Sequence, residues 1–213
     1  VRRTGLAADQ LQVGGDRKSW VWGLNKWRSI VQIYNWEIGV VDYISSFKGS
    51  SLILELLMYS ASSVFLGVIT LTIFALWTLK KSPSKLNKIR ILLVLISFIL
   101  SDLVSRFLFK VQFQRSRPKF IDTLCDESNC YGFVSSHASD FFAIATILIL
   151  YKKKDSIWLL PLGIKVCISR MYYEDHYPLD LIGGILVGMT TSLLLIITLK
   201  GLNIRKVPLY RLK

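Results

Sequence analysis

Four long apolar runs and one shorter one constrain the fold of this chain more than any other feature. A helix needs about 20 mostly apolar residues to cross the roughly 30 Å hydrocarbon core of a bilayer. The mean hydropathy of +0.45 is high for a soluble domain and ordinary for a membrane protein. The sequence therefore predicts an all-α integral membrane protein, with transmembrane helices over residues 51–79, 90–109, 134–151, 157–173 and 179–199.

The segment before the first run has a different composition. Residues 20–47 mix Trp and Tyr with Lys, Arg, Glu and Asp, which is typical of an amphipathic helix that lies in the membrane interface. A sixth span there is the alternative. We interpret residues 1–19 as a disordered tail or a remnant of processing or cloning, 48–199 as the transmembrane domain and 200–213 as a basic cytoplasmic tail.

The net charge of +13 is concentrated in particular loops. Lys and Arg are dense in residues 80–90, 152–154 and 200–213, and five alternating spans place all three segments on one side of the membrane. By the positive-inside rule that side is cytoplasmic. The charge is thus explained by topology, and we expect a bilayer but no nucleic acid as a partner.

The opposite face is predicted to carry a disulfide. Cys125 and Cys130 lie five positions apart in "CDESNC", and such a pair in an oxidising compartment favours a local bridge over two free thiols. Cys167 lies inside an apolar run, where it would serve packing. No metal site is predicted, because further ligands would be needed and the chain has only two His residues.

Four ends of apolar runs deliver polar residues to this extracytoplasmic face. Several fixed cations, hydroxyl groups and a helix N-terminus together make an anion site, and phosphate fits them best. Ser135 and Ser136 open the third run, so their backbone N–H groups and hydroxyls can also point at an anion. The residues concerned are Lys110, Arg115, Arg117, Ser135, Ser136, His137, Arg170, His176 and Asp180.

The two His residues suggest chemistry as well as binding. At a phosphate site one imidazole could attack phosphorus while the other protonates the leaving oxygen. His176 precedes Asp180 by four positions, and Pro178 suits the first turn of the last helix. Asp180 could then fold back and fix the tautomer of His176, as the carboxylate of a catalytic triad does.

Three segments resemble the motifs of one enzyme family. "KVQFQRSRP" matches K-x6-R-P, "SRMYYEDHYPLD" matches S-R-x5-H-x3-D, and "VSSH" is similar to P-S-G-H. In this order they resemble the type 2 phosphatidic acid phosphatase superfamily, over roughly residues 35–198. The resemblance implies a membrane-embedded helical bundle that hydrolyses lipid phosphates through a phosphohistidine, without a metal or other cofactor.

The resemblance also assigns roles to residues. Val134 and Ser136 replace the family's Pro and Gly, and neither replacement removes a catalytic group. The implied catalytic residues are the nucleophile His176, its orienting partner Asp180 and the general acid His137; the implied phosphate ligands are Lys110, Arg117, Ser135, Ser136 and Arg170.

Some polar residues lie outside these motifs or have no motif role. Asp102 and Arg106 are four positions apart and could pair within the bundle, or Arg106 could contact a headgroup, as could Arg115. Asp140 could tune His137 or cap a helix. Lys165 lies in the middle of a predicted span and receives no functional interpretation.

The leading hypothesis is a lipid phosphatase of the bacterial inner membrane with its active site on the periplasmic face. Its candidate substrates are the 1-phosphate of lipid A, undecaprenyl diphosphate and phosphatidylglycerol phosphate. A phosphotransferase that passes the phosphoryl group to a lipid or sugar is the main alternative, and a non-enzymatic transporter is a remote one. No obligate protein partner is implied.

Overall fold

The computed structural model describes residues 34–63, 85–118, 131–151 and 156–201, with side chains from residue 88 in the second range. All of them belong to the compact unit Ile33–Lys213. The predicted tail, the first part of the interfacial helix, the Cys125–Cys130 pair and the basic C-terminal tail lie outside these residues. The helices are α1 (Asn35–Ser45), α2 (Leu52–Ser62), α3 (Lys85–Leu103), α4 (Ser136–Tyr151), α5 (Leu159–Tyr172) and α6 (Pro178–Gly201).

The described residues confirm the predicted all-helical class. Their one β-type contact is an isolated antiparallel bridge between Ser116 and Tyr131. Within the described ranges, two helices are long and apolar enough to cross a membrane by length and composition, Lys88–Phe113 and Pro178–Gly201. The number of spans, five or six, stays a prediction.

The first predicted span, residues 51–79, is not one unbroken helix. α2 ends at Ser62, and Ser63 has extended backbone with φ −75° and ψ 116°. Residues 64–84 lie outside the described ranges. An apolar run alone could not show this break, because Ser62 and Ser63 are compatible with either backbone conformation.

α3 does not end where its apolar run ends. The helix widens into a π-helical segment over Val104–Lys110 and closes with the turn Val111–Phe113. Gln114 then adopts a left-handed conformation with φ 45°, which stops the helix and redirects the chain. π-helical segments are rare and are frequently found at functional sites.

Glycine lets α4 and α6 cross at short range. A Cβ atom on Gly184 would lie 2.5 Å from the carbonyl oxygen of Ser135, and one on Gly188 would overlap the carbonyl oxygen of Ser139 and lie 2.9 Å from the amide nitrogen of Ala143. The two glycines are four residues apart and therefore lie on one face of α6. This small-residue face is the typical device by which membrane helices approach closely.

Buried serines join three of the helices. Ser97 and Ser101 of α3 and Ser105 of the π-helical segment recur every four residues, and all three are fully buried. Ser97 is hydrogen-bonded to Ser192 of α6 over 2.5 Å, while Ser101 and Ser105 are both hydrogen-bonded to Ser139 of α4. These bonds hold the helices together where lipid on the outside gives apolar packing little driving force.

The apolar side chains divide into an interior and an exterior set. One interior cluster joins α3, α4 and α6 through Leu93, Ile147 and Ile196. Phe107 in the π-helical segment and Leu186 and Ile197 in α6 are among many large apolar side chains that remain exposed. A surface of this kind suits a hydrocarbon environment.

α1 and α2 are tied to the end of α5 by polar contacts. The Tyr172 hydroxyl donates to the Glu55 carboxylate over 2.7 Å and to the Phe47 carbonyl over 3.3 Å. Lys165, which had no interpretation from the sequence, donates to the Ser60 hydroxyl over 3.2 Å. These contacts bring the N-terminal helices next to the segment that carries His176.

Candidate active site

The site lies where α3 ends, α4 begins, α5 ends and α6 begins. Lys110 is the last residue of the π-helical segment, and only 3% of its surface is exposed. His137 lies in the first turn of α4, and Arg170 in the last turn of α5. His176 stands in the short connection to α6, whose first turn holds Asp180.

Asp180 lies beside the predicted nucleophile. Its Oδ2 is 3.7 Å from Nδ1 of His176, and both side chains are almost fully buried. The backbone N–H of Tyr177 donates to the same Oδ2 over 2.8 Å. A Cβ atom on Gly132 would lie 2.9 Å from Oδ2, so glycine there leaves room for the carboxylate.

The second His belongs to the same cluster. His137 lies within electrostatic range of His176 and of three cations from other elements, Lys110, Arg117 and Arg170. The structure therefore brings together both His residues and the three predicted cationic ligands. Arg117 is fixed near the bridge to Tyr131, whose carbonyl accepts its Nε–H over 3.5 Å.

Several buried polar atoms in this cluster have no protein partner among the described residues. Buried polar groups are normally hydrogen-bonded, so a group of unpartnered ones marks a place where another molecule could supply the partners. The unpartnered atoms are Oγ of Ser135, Oγ of Ser136, Nε2 of His137, Oδ1 of Asp140 and Nε of Arg170. Nδ1 of His176 also lacks a hydrogen bond, but it faces the Asp180 carboxylate at 3.7 Å. Most can donate a hydrogen bond, as an oxyanion requires.

Ser135 differs from expectation in one respect. We expected its backbone N–H to be free for an anion, but it donates to the carbonyl of Asp180 over 2.9 Å. Its hydroxyl remains unpartnered. Ser136 and His137 begin α4, and the first N–H groups of a helix have no carbonyl partner within it. The backbone donors for an anion are therefore those of the first turn of α4.

Arg170 is held by two neighbours. Its guanidinium donates to the Ser62 hydroxyl over 2.5 Å and pairs with Asp175 at 2.9 Å. Asp175 reaches this position because α5 ends in a Schellman-type turn, with the Asp175 N–H bonded to the Arg170 carbonyl and the Glu174 N–H bonded to the Met171 carbonyl. The turn thus holds Asp175, the residue before His176, against Arg170.

Arg115 does not lie where a headgroup contact would require. Its guanidinium is buried behind Asp180, pairing with Oδ1 of that residue at 2.5 Å and with Oε2 of Glu37 at 2.5 Å. Glu37 is fully buried on α1, and reasoning from the sequence missed it. The one available signal was a carboxylate inside a segment rich in Trp and Tyr.

Arg106 forms the pair that we considered from its spacing. Its Nε–H donates to Asp102 over 2.6 Å, and both side chains are partly exposed. Asp140 lies within electrostatic range of both residues. The headgroup role of Arg106 stays a prediction.

Burial controls the charge state of the predicted nucleophile. Loss of hydration lowers the pKa of His176 to about 4, while Asp180 opposes the shift and Arg170 and Arg117 add to it. The imidazole is therefore neutral at pH 7, as a nucleophile must be. Burial also raises the pKa of Tyr177, whose ring lies below Arg115.

Metal ligands are not clustered in the described part of the chain. No three His, Cys, Asp or Glu side chains there are grouped so that they could hold a metal ion. Cys167, predicted to serve packing, is buried against Ala138, Phe142 and Leu181.

In the described residues, the fold is all-α, and a cation-rich cluster that includes two histidines lies at one end of the helices. Residues 90–203 match the PAP2 superfamily, and the chain belongs to that superfamily. It is accordingly an integral membrane protein.

Two curated relatives are similar to this chain. The lipid A 4'-phosphatase of Porphyromonas gingivalis is 29% identical over 147 residues, which cover 64% of this chain and 62% of that protein. The bacitracin transport permease protein BcrC of Bacillus licheniformis is 26% identical over 111 residues, which cover 50% and 54%. The chain spans less than two thirds of the length of either relative.

Two crystal structures share the fold. The first transmembrane PAP2-type phosphatidylglycerolphosphate phosphatase from Bacillus subtilis matches with a TM-score of 0.59 and 15% identity, covering 92% of this chain and 98% of that one. LpxE of Aquifex aeolicus matches with a TM-score of 0.56 and 21% identity, covering 80% and 98%.

Proposed function

We propose that this protein is a membrane lipid phosphatase that hydrolyses a phosphate monoester or diphosphate on a lipid headgroup. The observation that carries the proposal is the grouping of two His residues with three cations and several unpartnered buried donors. Such a site offers a nucleophile, a general acid and hydrogen-bond donors that stabilise an oxyanion, all within one cluster of residues. The names of the similar proteins support a lipid phosphate as the substrate class.

The first step would form a phosphohistidine. Nδ1 of His176 faces Asp180 and would carry the proton, which leaves the lone pair of Nε2 free to attack phosphorus. As the N–P bond forms, the bond from phosphorus to the lipid oxygen breaks. His137 would donate a proton to that oxygen, so the lipid of a monoester substrate leaves as a neutral hydroxyl compound. With a diphosphate, the bond that breaks joins the terminal phosphorus to the bridging oxygen, His137 protonates that oxygen, and the lipid monophosphate leaves.

The second step would return the enzyme to its starting state. Water attacks the phosphohistidine, His137 accepts its proton, the N–P bond breaks and inorganic phosphate leaves. Lys110, Arg117 and Arg170 would bind the phosphoryl oxygens in both steps, where negative charge is concentrated. The hydroxyls of Ser135 and Ser136 would complete the clamp.

The direct test is phosphate release by the purified protein from a panel of lipids. The panel holds lipid A phosphorylated at the 1 or the 4' position, undecaprenyl diphosphate and phosphatidylglycerol phosphate. We expect release from at least one of them and none from the His176→Ala variant. Release by both proteins alike, or by neither, contradicts the proposal. Product analysis by mass spectrometry separates hydrolysis from transfer to another lipid or sugar.

We also propose that the reaction needs no metal ion, because the groups assigned above supply both the nucleophile and the charge stabilisation. Phosphate release should therefore survive EDTA. Loss of activity in EDTA that zinc or magnesium restores would contradict this part of the proposal.

The proposed orientation places the site on the periplasmic face of the inner membrane. The loops that contain Ser84 and Ser128 differ in charge as the positive-inside rule requires, with Ser84 in the basic loop. In a variant without the three native Cys residues, a Cys at position 128 should react with a membrane-impermeant thiol reagent in whole cells. A Cys at position 84 should react only after lysis, and the reverse pattern would overturn the orientation.

A further inference from the structure

Asp180 is held on the side away from His176 by a second charged residue. Its Oδ1 pairs with Arg115, while its Oδ2 accepts the Tyr177 N–H and faces His176. A carboxylate held at both oxygens cannot rotate freely. The direction in which Asp180 faces His176 is thus set partly by Arg115.

Arg115 is itself fixed at several points. Its carbonyl accepts the Gly132 N–H over 2.7 Å, and its guanidinium carbon lies 5.0 Å from the centre of the Tyr177 ring. The planar guanidinium spans two carboxylates, with NH1 on Asp180 and NH2 on Glu37. Only an arginine presents two donors in this rigid arrangement.

Glu37 completes the chain of contacts. Its Oε2 accepts from Arg115 and from the Tyr34 N–H over 3.1 Å, and its Oε1 accepts the Leu179 N–H over 3.1 Å. Leu179 directly precedes Asp180 in the first turn of α6, where backbone N–H groups lack helical partners. Glu37 therefore holds both the guanidinium and the backbone beside Asp180.

We propose that Glu37 and Arg115 are positioning residues, which make α1 an integral part of the active site by holding Asp180 toward His176. The inference rests on the proposed function and adds two residues to it. The Arg115 guanidinium binds two carboxylates, and Glu37 is an anion bound to Arg115, so neither side chain serves to bind the phosphate. Their loss should slow the chemical step without weakening substrate binding.

The first test separates kcat from KM in two variants that change little in size. Arg115→Lys keeps the positive charge but loses the two guanidinium donors that reach Asp180 and Glu37. Glu37→Gln keeps the shape of the side chain but loses its negative charge. We expect each to lower kcat by roughly 10- to 100-fold, the range found for outer partners that orient metal-bound histidines, with KM nearly unchanged. A raised KM at wild-type kcat would instead make Arg115 a headgroup ligand and overturn the inference.

Glu55→Gln is the matched control. Glu55 is also a carboxylate that joins two helices, since it accepts from Tyr172 over 2.7 Å and from the Gly49 N–H over 2.9 Å, but it does not contact Asp180. Its kcat should stay within about twofold of wild type, as expected for a bridge that only supports the fold. In an Asp180→Asn background, Arg115→Lys should lower kcat little further, because both substitutions act through the same carboxylate.

NMR of the histidine rings tests the inference without measuring turnover. The chain has two His residues, so ¹⁵N-histidine labelling yields two imidazoles, which a His137→Ala sample assigns. The Nδ1–H tautomer of His176 should dominate in wild type and lose population in Arg115→Lys and Glu37→Gln, but not in Glu55→Gln. Unchanged spectra in the first two variants overturn the inference even if the protein proves to be a phosphatase. A changed tautomer with no phosphate release from any lipid in wild type contradicts the proposed function alone.

Discussion

Oδ2 of Asp180 lies 3.7 Å from Nδ1 of His176, across the junction between a loop and the first turn of α6. The separation is longer than a hydrogen bond but short enough for the carboxylate to stabilise positive charge on the ring. Because Asp180 is fully buried and held by Arg115, its charge is directed at His176. The two residues should therefore contribute unequally to turnover.

His176→Ala should lower kcat on the order of 10⁴-fold or more, because it removes the atom that bonds to phosphorus. The loss of kcat in Asp180→Asn should be at least about tenfold smaller. Without its orienting residue, the His176 imidazole is still correctly placed for part of the time. Phosphate release by the purified variants measures both. An Asp180→Asn variant that is as impaired as His176→Ala would contradict the assigned roles.

The lowered pKa of His176 should set the lower pH limit of the proposed phosphatase activity. NMR titration of the two labelled imidazoles should show His176 neutral down to about pH 5, with a midpoint near 4. Asp180→Asn should move this pKa lower still, because Asp180 is the group that raises it. A midpoint near 6.5 in wild type would show that the ring is hydrated.

The lowered pKa of His176 should also make the folded protein less stable in acid. The unfolded chain takes up a proton on His176 near pH 6.5, whereas the folded site takes it up only near pH 4. Acidification through this window therefore favours the unfolded state. The free energy of unfolding should fall as the pH drops from 6.5 to 4, and it should fall less in His176→Ala.

The grouping of polar residues at one end of the helices was predictable from the sequence. Alternating apolar runs reverse direction at each crossing, so Lys110, His137, Arg170 and His176 had to reach the same face. The bond between Glu37 and Arg115 was not predictable, because the two residues are 78 positions apart and no local pattern connects them.

Backbone details were also beyond the sequence. The Ser135 N–H was expected to serve an anion, but its bond to the Asp180 carbonyl depends on how closely α4 and α6 approach. The π-helical segment Val104–Lys110 was not expected either, since its apolar residues suit an α-helix equally well. The spacing of Ser97, Ser101 and Ser105 by contrast was visible, and four-residue recurrence of serine in an apolar run is a usable sign of a buried helix face.

Asp175 should weaken phosphate binding by occupying Arg170. The two side chains pair at 2.9 Å, so substrate oxygens must compete with the Asp175 carboxylate. Asp175→Asn should lower KM by roughly 2- to 5-fold, which corresponds to the worth of a partly exposed ion pair. Glu174→Gln is the control, because Glu174 pairs with Lys48 instead, and its KM should not change.

Gly188 should be intolerant of any side chain. A methyl group there would overlap the Ser139 carbonyl, a backbone atom that cannot move aside alone. Gly188→Ala should lower the free energy of unfolding by roughly 1–3 kcal/mol or more, as judged by thermal unfolding in detergent. Gly39→Ala, which adds a methyl group where no atom lies within 4 Å, should be within about 1 kcal/mol of wild type. Equal losses in both variants would contradict close packing of α4 on α6.

The end of α5 offers a place where stability can be gained. Glu174 stands at the left-handed position of the Schellman-type turn, with φ 57°, where glycine is the usual residue because it has no Cβ atom. A non-glycine residue costs about 1 kcal/mol in this conformation. The turn also sets Asp175 and His176, so its geometry matters to the site.

Glu174→Gly should therefore be more stable than Glu174→Ala by about 1 kcal/mol. Both variants lose the ion pair with Lys48, which joins partly exposed side chains at 3.3 Å. The difference between their free energies of unfolding therefore reports the cost of the left-handed backbone at residue 174. Thermal unfolding of the two variants in the same detergent measures that difference. Because the left-handed conformation is the only feature that distinguishes them at this position, an alanine variant as stable as the glycine variant would mean that residue 174 is not left-handed in the folded protein.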